Sequence, residues 1–362
     1  MLVPAETIHR QISVVLAAWG MPPDVVRTAA DVMTDTDLAG IDSHGISMLM
    51  LYEEALGLEQ LNPAPKPRVV RESPVTALVD GDGGLGHVAA VFGMELAIEK
   101  AKSASVGIVC VRNSTHFGAA GYYAAMASAR GLLGLVTCTT RGNPVLPTRS
   151  AIPVLGTNPI AFAAPTRRNI PFLLDMSTST VAQNKVKVYD FQNRRLPPGW
   201  VLDEHGEPVT DSALAMELVT VRYTGGITAL GGTADMSSHK GYGLSVMVQI
   251  LSATLAGGSF TPIRKRTQGR GDPDDIGHFL MALDPTAFRD EGEFENDLDD
   301  VIDVLHAARP TVASEPVLVA GEPEARAREE RSRAGIPVPA ALAERIRAIC
   351  ERAGAPFLLD AG

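Results

Sequence analysis

The chain has 362 residues, of which 45% are apolar, 20% are charged and 5% are aromatic. This length predicts two or three compact units with a full hydrophobic core, and the apolar fraction argues against wholesale disorder or a coiled coil. The net charge of −10 disfavours a nucleic-acid partner, because the dense basic cluster at 264–270 is followed at once by acidic residues.

The three cysteines, Cys110, Cys138 and Cys350, are far apart and form no metal-binding spacing, so we expect a cytoplasmic protein without a bound metal. An uninterrupted apolar stretch of about 18 residues is lacking, and the N-terminal sequence does not have the layout of a signal peptide. We therefore expect no membrane partner.

Apolar residues at helical spacing predict a helix that starts within residues 22–24 and ends near Leu38, and a second from about His44 to Leu58. From residue 75 onward, predicted strands at 75–79, 106–111 and 132–137 alternate with helices at 88–103 and 122–130. This alternation predicts an α/β layered structure. Further strands are expected at 160–163, 172–174 and 317–319, further helices at 241–256, 288–305 and 338–353, and a mobile loop at 264–275.

The segment at 81–86 matches the G-x-G-x-x-G pattern of dinucleotide-binding loops and lies between a predicted strand and a predicted helix. Two features argue against that function. The next strand ends near Arg112 instead of at an acid that would hold a ribose, and Asp82 within the loop would repel phosphate. An arginine at the strand end also suits a 2′-phosphate, so the alternative stays open.

The DSHG tetrapeptide at 42–45 places a histidine at a predicted helix start, where it can exchange protons near neutral pH. Ser43 either orients the ring of His44 or simply caps the helix above a surface histidine. A second histidine, His116, lies in a turn of small residues between a strand and a helix. Such a turn allows close approach of a ligand, and free N–H groups at the helix start suit a phosphate.

Three later segments carry charged groups at element ends. Asp175 directly follows a buried strand, where a carboxylate needs a partner. Lys240 precedes an apolar helix, although a lysine there is commonly just solvent-exposed. Residues 321–324 form a turn after the apolar segment at 317–319.

Taken together and in this order, these segments resemble the type-2 malate/L-lactate dehydrogenase family, which includes sulfolactate and ureidoglycolate dehydrogenases. The resemblance extends from residue 35 to residue 336, including GTNPIAFAAP at 156–165, KGYGL at 240–244 and GHFLMALDP at 277–285. It implies an α/β, non-Rossmann fold of the L-sulfolactate dehydrogenase type, with helical N- and C-terminal parts and a discontinuous NAD(P)-binding domain. The expected domains are 1–70 with 300–362, and 71–299, with approximate boundaries.

The resemblance implies an enzyme, usually a homodimer, that transfers a hydride between NAD or NADP and a 2-oxo or 2-hydroxy acid. His44 matches the proton donor and acceptor, Ser43 and Asp175 its supporting pair, and His116 a residue that is catalytic in some members. Asp175 is then expected to orient the imidazole, as the acid of a triad does. The expected cofactor-binding residues are His116, Phe117, Gly118, Ala119, Ala120, Thr157, Leu174, Asp175, Met176, Lys240, Gly321, Glu322, Pro323 and Glu324.

The substrate-binding positions expected from the resemblance are Met48, Tyr52 and Arg141, and here the chain departs from the family. Family members typically have an arginine at position 48, on the same predicted helical face as His44, where it would bind a carboxylate through two charge-assisted hydrogen bonds. Either another cation, such as Arg141 or Lys185, replaces it, or the substrate differs at that end. A cyclic imine carboxylate reductase and a non-catalytic cofactor-binding relative therefore remain alternatives.

Overall fold

The computed structural model describes residues 1–222, 224–263 and 272–360, without the side chains at 184 and 191. Residues 264–271 of the predicted basic cluster and mobile loop lie outside the described residues. The chain divides into two compact units. The first contains 1–136, 161–175 and 280–362, and the second contains 137–160 and 176–279.

The helices of the first unit begin with α1 (Ala5–Ala18), α2 (Pro23–Leu38) and α3 (Leu49–Gly57), the last preceded by a 3₁₀ turn at Ile46–Met48. Their apolar faces form one buried cluster with α11 (Ala340–Ala353), around residues such as Ile12, Met33 and Ile346. A short antiparallel pair, β1 (Leu2–Val3) with β12 (Ile336–Pro337), brings the two ends of the chain together. Burying this much apolar surface provides the main driving force for folding.

A seven-stranded sheet contains β2 (Arg68–Glu72), β3 (Thr76–Asp80), β4 (Val106–Ser114), β5 (Leu133–Cys138), β7 (Ile160–Ala164), β8 (Phe172–Met176) and β11 (Ile276–Leu283). Its strand order is β2-β3-β4-β11-β5-β7-β8. Helix α4 (Gly86–Ala104) connects the parallel neighbours β3 and β4, and α5 (Ala120–Ser128) follows β4. His116 lies in the turn between β4 and α5, and Asp175 is the last residue but one of β8.

Two further helices complete the first unit, α9 (Glu293–Ala307) and α10 (Glu322–Ala334). The fully buried carboxylate of Asp299 in α9 accepts N–H hydrogen bonds from Arg167, Arg168 and Asn169, at 2.9 to 3.1 Å. These bonds fix the connection between β7 and β8. Through it they fix the start of the strand that ends near Asp175.

The second unit is built around a three-stranded sheet in the order β6 (Val145–Leu146), β10 (Gly226–Thr228), β9 (Val201–Leu202). Its helices are α6 (Gln183–Phe191), α7 (Ser212–Glu217), continued by a π-helical turn to Arg222, and α8 (His239–Gln249), continued by another to Thr254. An apolar cluster that includes Val186, Val201 and Ile227 forms its core.

The mixed α/β architecture predicted from the alternating pattern is confirmed, and most elements lie within a few residues of their expected bounds. Two predictions are wrong. The helix expected from His44 starts only at Leu49, so His44 lies in a turn and does not share a helical face with Met48. Residues 317–319 are not a strand. The pattern also missed β2 and α6. The division into domains at 70 and 300 remains a prediction.

The N–H groups of three glycines in the loop at 81–86 donate hydrogen bonds to backbone carbonyls of the protein itself. Gly81 donates to the carbonyl of Arg112, Gly83 to that of Asn113 and Gly86 to that of His116, at 2.8 to 3.1 Å. Donors already paired in this way are not available to a pyrophosphate, which agrees with the two sequence features that argue against a dinucleotide-binding loop here.

Candidate active site

His44 lies in a tight turn at 42–45, between α2 and the 3₁₀ turn. The His44 N–H donates to the carbonyl of Ile41 at 2.9 Å, and the Met48 N–H donates to that of Gly45 at 2.9 Å. The Oγ of Ser43 lies 2.7 Å from the Nδ1 of His44. Ser43 therefore orients the ring, because a hydrogen bond at Nδ1 leaves Nε2 as the nitrogen that can exchange a proton.

The buried carboxylate of Asp37, in α2, stabilises this turn through a hydrogen bond. Its Oδ2 accepts the Ile46 N–H at 2.8 Å, and Arg331 donates to its backbone carbonyl at 2.6 Å while also pairing with the carboxylate of Asp42. Burial raises the pKa of Asp37 to about 7, with the Ile46 N–H acting in the opposite direction. The arrangement anchors both ends of the DSHG segment to α2 and α10.

His116 stacks on His44, with ring centroids 5.4 Å apart and an interplanar angle of 26°. The Nδ1 of His116 lies 3.0 Å from the Oη of Tyr52, and that Oη lies 3.5 Å from the Nε2 of His87. Tyr52 and His87 are both buried, at 2% and 0% exposure. Four titratable side chains thus form one cluster that joins the DSHG turn, α3, α4 and the turn after β4.

Burial dominates the electrostatics of this cluster. It lowers the pKa of His44 below the usual 6.5, and it lowers the pKa of His87 to about 3, with repulsion from His44 as the second cause. It raises the pKa of Tyr52 far above its normal range. At neutral pH, His44, His87 and Tyr52 are therefore uncharged, and His44 is poised to accept a proton.

Asp175 lies at the end of β8, close to the start of α5. Its Oδ2 accepts the N–H of Gly121 at 2.7 Å. Burial raises the pKa of Asp175 to about 6; the Gly121 hydrogen bond lowers it, and the charge of Glu324 raises it further. Within the described part of the chain, Asp175 and His44 share no hydrogen bond, so the triad-like contact suggested by the resemblance is not present in this structure.

A cavity of about 450 Å³ lies in the first unit, with Gly121 and Asp175 in its lining. Its lining includes three expected cofactor-binding residues, Ala119, Asp175 and Glu324. Ile41, which also lines it, is three positions before His44 in the chain, and Ala119 is three positions after His116. A second cavity of about 300 Å³ shares Leu173 and Glu324 with it and adds Gly321. The two cavities therefore adjoin along the ends of β8 and α10.

The remaining predicted residues belong to the second unit. The Thr157 carbonyl accepts the N–H and the hydroxyl of Thr178, and Met176 ends β8. Lys240 is exposed in the first turn of α8. Arg141 is 3.5 Å from the carboxylate of Asp274 and so already has an anionic partner. Their cofactor and substrate roles stay predictions.

The two predicted substrate positions of the first unit also have contacts. Met48 is partly buried and packs against the N-terminal apolar cluster. The Tyr52 hydroxyl contacts His116 and His87. His87 was not expected from the sequence, because it directly follows the glycine-rich segment at 81–86, which we examined only as a phosphate-binding pattern. Asp37 was missed because burial of an acid cannot be seen in a helical pattern.

Comparison with known proteins now gives the family. The malate/L-lactate dehydrogenase model matches residues 3–347. The chain belongs to the malate/L-lactate dehydrogenase family. It is 38% identical to a malate dehydrogenase of Pyrococcus horikoshii over 97% of this chain and 95% of that protein, and 35% identical to an L-sulfolactate dehydrogenase of Methanocaldococcus jannaschii over 98% of both. The crystal structure of an Entamoeba histolytica malate dehydrogenase, at 31% identity, superposes with a TM-score of 0.93 over 98% of this chain and 99% of that one.

This malate/L-lactate dehydrogenase family member is thus an oxidoreductase with the expected fold, and its family implies a nicotinamide cofactor. The residues around the two adjoining cavities fit such a group. Gly321 has a φ of +99°, and an added Cβ would lie 3.0 Å from the Leu173 nitrogen, so its lack of a side chain lets residue 321 pack closely against β8 at the edge of the second cavity. Among the described residues, Glu324 has no hydrogen-bond partner, and carboxylates commonly bind ribose hydroxyls. No helix in the described ranges is both long and apolar enough to cross a membrane.

Proposed function

We propose that this protein interconverts a 2-oxo acid and the corresponding 2-hydroxy acid, with His44 as the proton donor and acceptor. The observation that carries the proposal is the Ser43–His44 hydrogen bond of 2.7 Å in a turn stacked against His116. A nicotinamide cofactor, when bound, supplies the hydride for reduction or takes it up in oxidation. The protein must then deliver one proton to the substrate oxygen, or remove it.

His44 suits that proton transfer for two reasons. Ser43 occupies Nδ1, which leaves Nε2 to face a reactant, and burial lowers the pKa of the ring so that it is neutral and able to accept a proton at pH 7. In reduction, the protonated form of His44 gives its Nε2 proton to the carbonyl oxygen as the carbonyl carbon gains the hydride, and the imidazole returns to its neutral form. In oxidation, it takes the hydroxyl proton.

The cofactor-binding residues that we propose in the first unit are 116–120, 174–175 and 321–324, of which Ala119, Asp175, Gly321 and Glu324 line its two cavities. Thr157, Met176 and Lys240, which belong to the second unit, are proposed for the same role on the family resemblance alone. Asp175 supports the site by fixing the first turn of α5 through the Gly121 N–H, which is a different role from orienting His44 directly. We further propose a homodimer, which light scattering would test.

Because residue 48 is a methionine, the substrate carboxylate must be bound by a cation at another position. A methionine cannot form the bidentate pair that an arginine provides. Arg141 is the candidate given by the sequence, and to bind a substrate it would have to exchange the carboxylate of Asp274, which lies 3.5 Å from its guanidinium. The proposed substrate class is therefore a small 2-oxo acid of the malate or lactate type.

The test compares His44→Ala with His9→Ala, since His9 is a histidine on α1 that is paired with Asp31 away from the cluster. Nicotinamide fluorescence should show that both variants bind NADH or NADPH as the unchanged protein does. Only His44→Ala should lose turnover, by at least about a hundredfold. Full turnover by His44→Ala would refute the assignment. A panel with ketones and cyclic imine carboxylates separates the 2-oxo acid reductase from an imine reductase, and binding without turnover on either would indicate a non-catalytic relative.

A further inference from the structure

His87 has no place in the proposed chemistry, yet it is completely buried beside it. It is the second residue of α4 and is 0% exposed. Its Nδ1 has no hydrogen-bond partner in the described part of the chain, and its Nε2 faces the Tyr52 hydroxyl at 3.5 Å. A buried polar side chain normally has partners, so this imidazole calls for an explanation.

A backbone group reveals the direction of the hydrogen bonds around His116, through a bond that is too long to impose it. The N–H of Gly118 lies 3.4 Å from the Nδ1 of His116, and a backbone N–H can only donate. Nδ1 is therefore an acceptor. The Tyr52 hydroxyl, 3.0 Å from the same nitrogen, must then donate its proton to it as well. Burial keeps that phenol protonated, because it raises the pKa of Tyr52.

With its proton directed at His116, the Tyr52 oxygen can only accept from His87. The Nε2 of His87 must then carry the proton, and its Nδ1 carries a lone pair. This agrees with the absence of a described partner for Nδ1, because an unpaired buried N–H is rarer than an unpaired acceptor. His87 also stays uncharged, because burial lowers its pKa to about 3. The Gly118 N–H, the two contacts of the Tyr52 hydroxyl and the unpaired Nδ1 of His87 agree on one direction of donation. His87 donates to Tyr52, and Tyr52 donates to His116.

We propose that His87 is a positioning residue which, through Tyr52, holds neutral His116 in the tautomer that carries its proton on Nε2. The proposal rests on the proposed function, in which His116 belongs to the site. In this tautomer His116 offers a hydrogen-bond donor from Nε2, as is needed to bind an oxygen of a 2-oxo acid. The opposite tautomer would present a lone pair and repel that oxygen.

The direct test is the tautomeric state of His116, measured by long-range ¹H–¹⁵N NMR on protein labelled at histidine, without substrate or cofactor. His116→Gln assigns the signals. We expect a protonated Nε2 and an unprotonated Nδ1 in the unchanged protein at neutral pH. A proton on Nδ1 would overturn the proposal.

Three substitutions at His87 separate the donor from the bulk of the ring. In His87→Gln the amide nitrogen can occupy the place of Nε2 and donate to Tyr52, whereas in His87→Asn it is nearer to the place of Nδ1, and in His87→Leu there is no donor. We expect Gln to preserve the His116 tautomer. Asn and Leu should give a mixture of tautomers and lower kcat about tenfold with little change in KM.

Tyr52→Phe tests the same link at its other residue, so the His116 tautomer can still be measured if His87→Leu does not fold. It removes the link itself, so it should give the same mixture of tautomers, and the double variant with His87→Leu should be no worse in kcat than either single one. An unchanged His116 spectrum in His87→Leu or in Tyr52→Phe would refute the proposal. Because the spectrum needs no turnover, a protein inactive on all substrates would contradict the proposed function and leave this inference standing.

Discussion

The carboxylate of Asp37 occupies the space in which a side chain at residue 45 would begin. A Cβ added to Gly45 would lie 1.8 Å from Oδ1 and 2.0 Å from Cγ of Asp37, far inside van der Waals contact. The absence of a side chain at Gly45 thus allows α2 to hold the turn that carries His44. The glycine of the DSHG motif is required by packing, and its φ is not positive.

Gly45→Ala should therefore displace the turn or expel the Asp37 carboxylate. We expect a loss of about 2 kcal/mol or more in the free energy of unfolding, together with a lower kcat, because His44 moves with the turn. Urea denaturation and steady-state kinetics measure the two effects. Gly57→Ala is the matched control, since a Cβ there meets nothing within 4 Å. Equal stability of the two variants would contradict this account.

Asp37 also predicts how stability depends on pH. Its pKa in the folded protein, about 7, lies above the ordinary value of 3.8, so between these values the folded state binds more protons than the unfolded state. This contribution makes the protein less stable as pH rises from about 4 to 7, by on the order of a few kcal/mol. Asp37→Asn keeps an acceptor for Ile46 and should remove that dependence.

Asp299→Asn is the control for this measurement, because its carboxylate behaves in the opposite way. Burial acts to raise the pKa of Asp299, but the N–H bonds from Asn169, Arg168 and Arg167 lower it overall. Its contribution to stability is therefore lost as pH falls below about 4. Urea denaturation at a series of pH values measures both variants. A pH dependence in Asp37→Asn that matches the unchanged protein would contradict the assignment.

The pH dependence of turnover should reflect His44. In oxidation His44 must be neutral to accept the hydroxyl proton, and burial lowers its pKa below 6.5. We therefore expect kcat/KM for oxidation of a 2-hydroxy acid to stay constant as pH falls to 6.5 and to decline only below it. Ser43→Ala should lower kcat about tenfold with KM almost unchanged, because the ring loses its orienting bond. A decline that begins well above pH 6.5 would argue against His44 as the base.

Substitution of Met48 tests how the substrate carboxylate is bound. Met48→Arg introduces a group able to bind a carboxylate bidentately, worth about 1.5–3 kcal/mol, so kcat/KM for a malate-type substrate should rise ten- to a hundredfold. The long side chain can keep its methylene groups on the apolar cluster that Met48 contacts. Met48→Leu is the control for packing. An arginine variant that is no more active than the leucine variant would show that residue 48 does not face the substrate.

The sequence by itself determined the family, the α/β class, most of the helices and five strands of the seven-stranded sheet, β3, β4, β5, β7 and β8. Periodic patterns such as those of α2, α4 and α11 depend on local spacing of apolar residues, which any sequence displays directly. The resemblance likewise identified Ser43, His44, His116 and Asp175 as the residues to examine. The resemblance did not show which of these four side chains contact each other.

Only the tertiary structure showed that Ser43 contacts His44, that His44 stacks on His116, and that Asp175 binds the Gly121 N–H and has no described bond to His44. Tyr52, His87 and Asp37 are distant from one another in the chain, and their roles arise from burial, which spacing along a chain does not encode. The start of α3 illustrates the same limit. A capping residue at 42 or 43 was compatible with a helix from His44, but the Asp37 carboxylate binds the Ile46 N–H and holds 42–45 as a turn. A long-range hydrogen bond overrode the local helical signal, because a buried carboxylate must find donors wherever the fold supplies them.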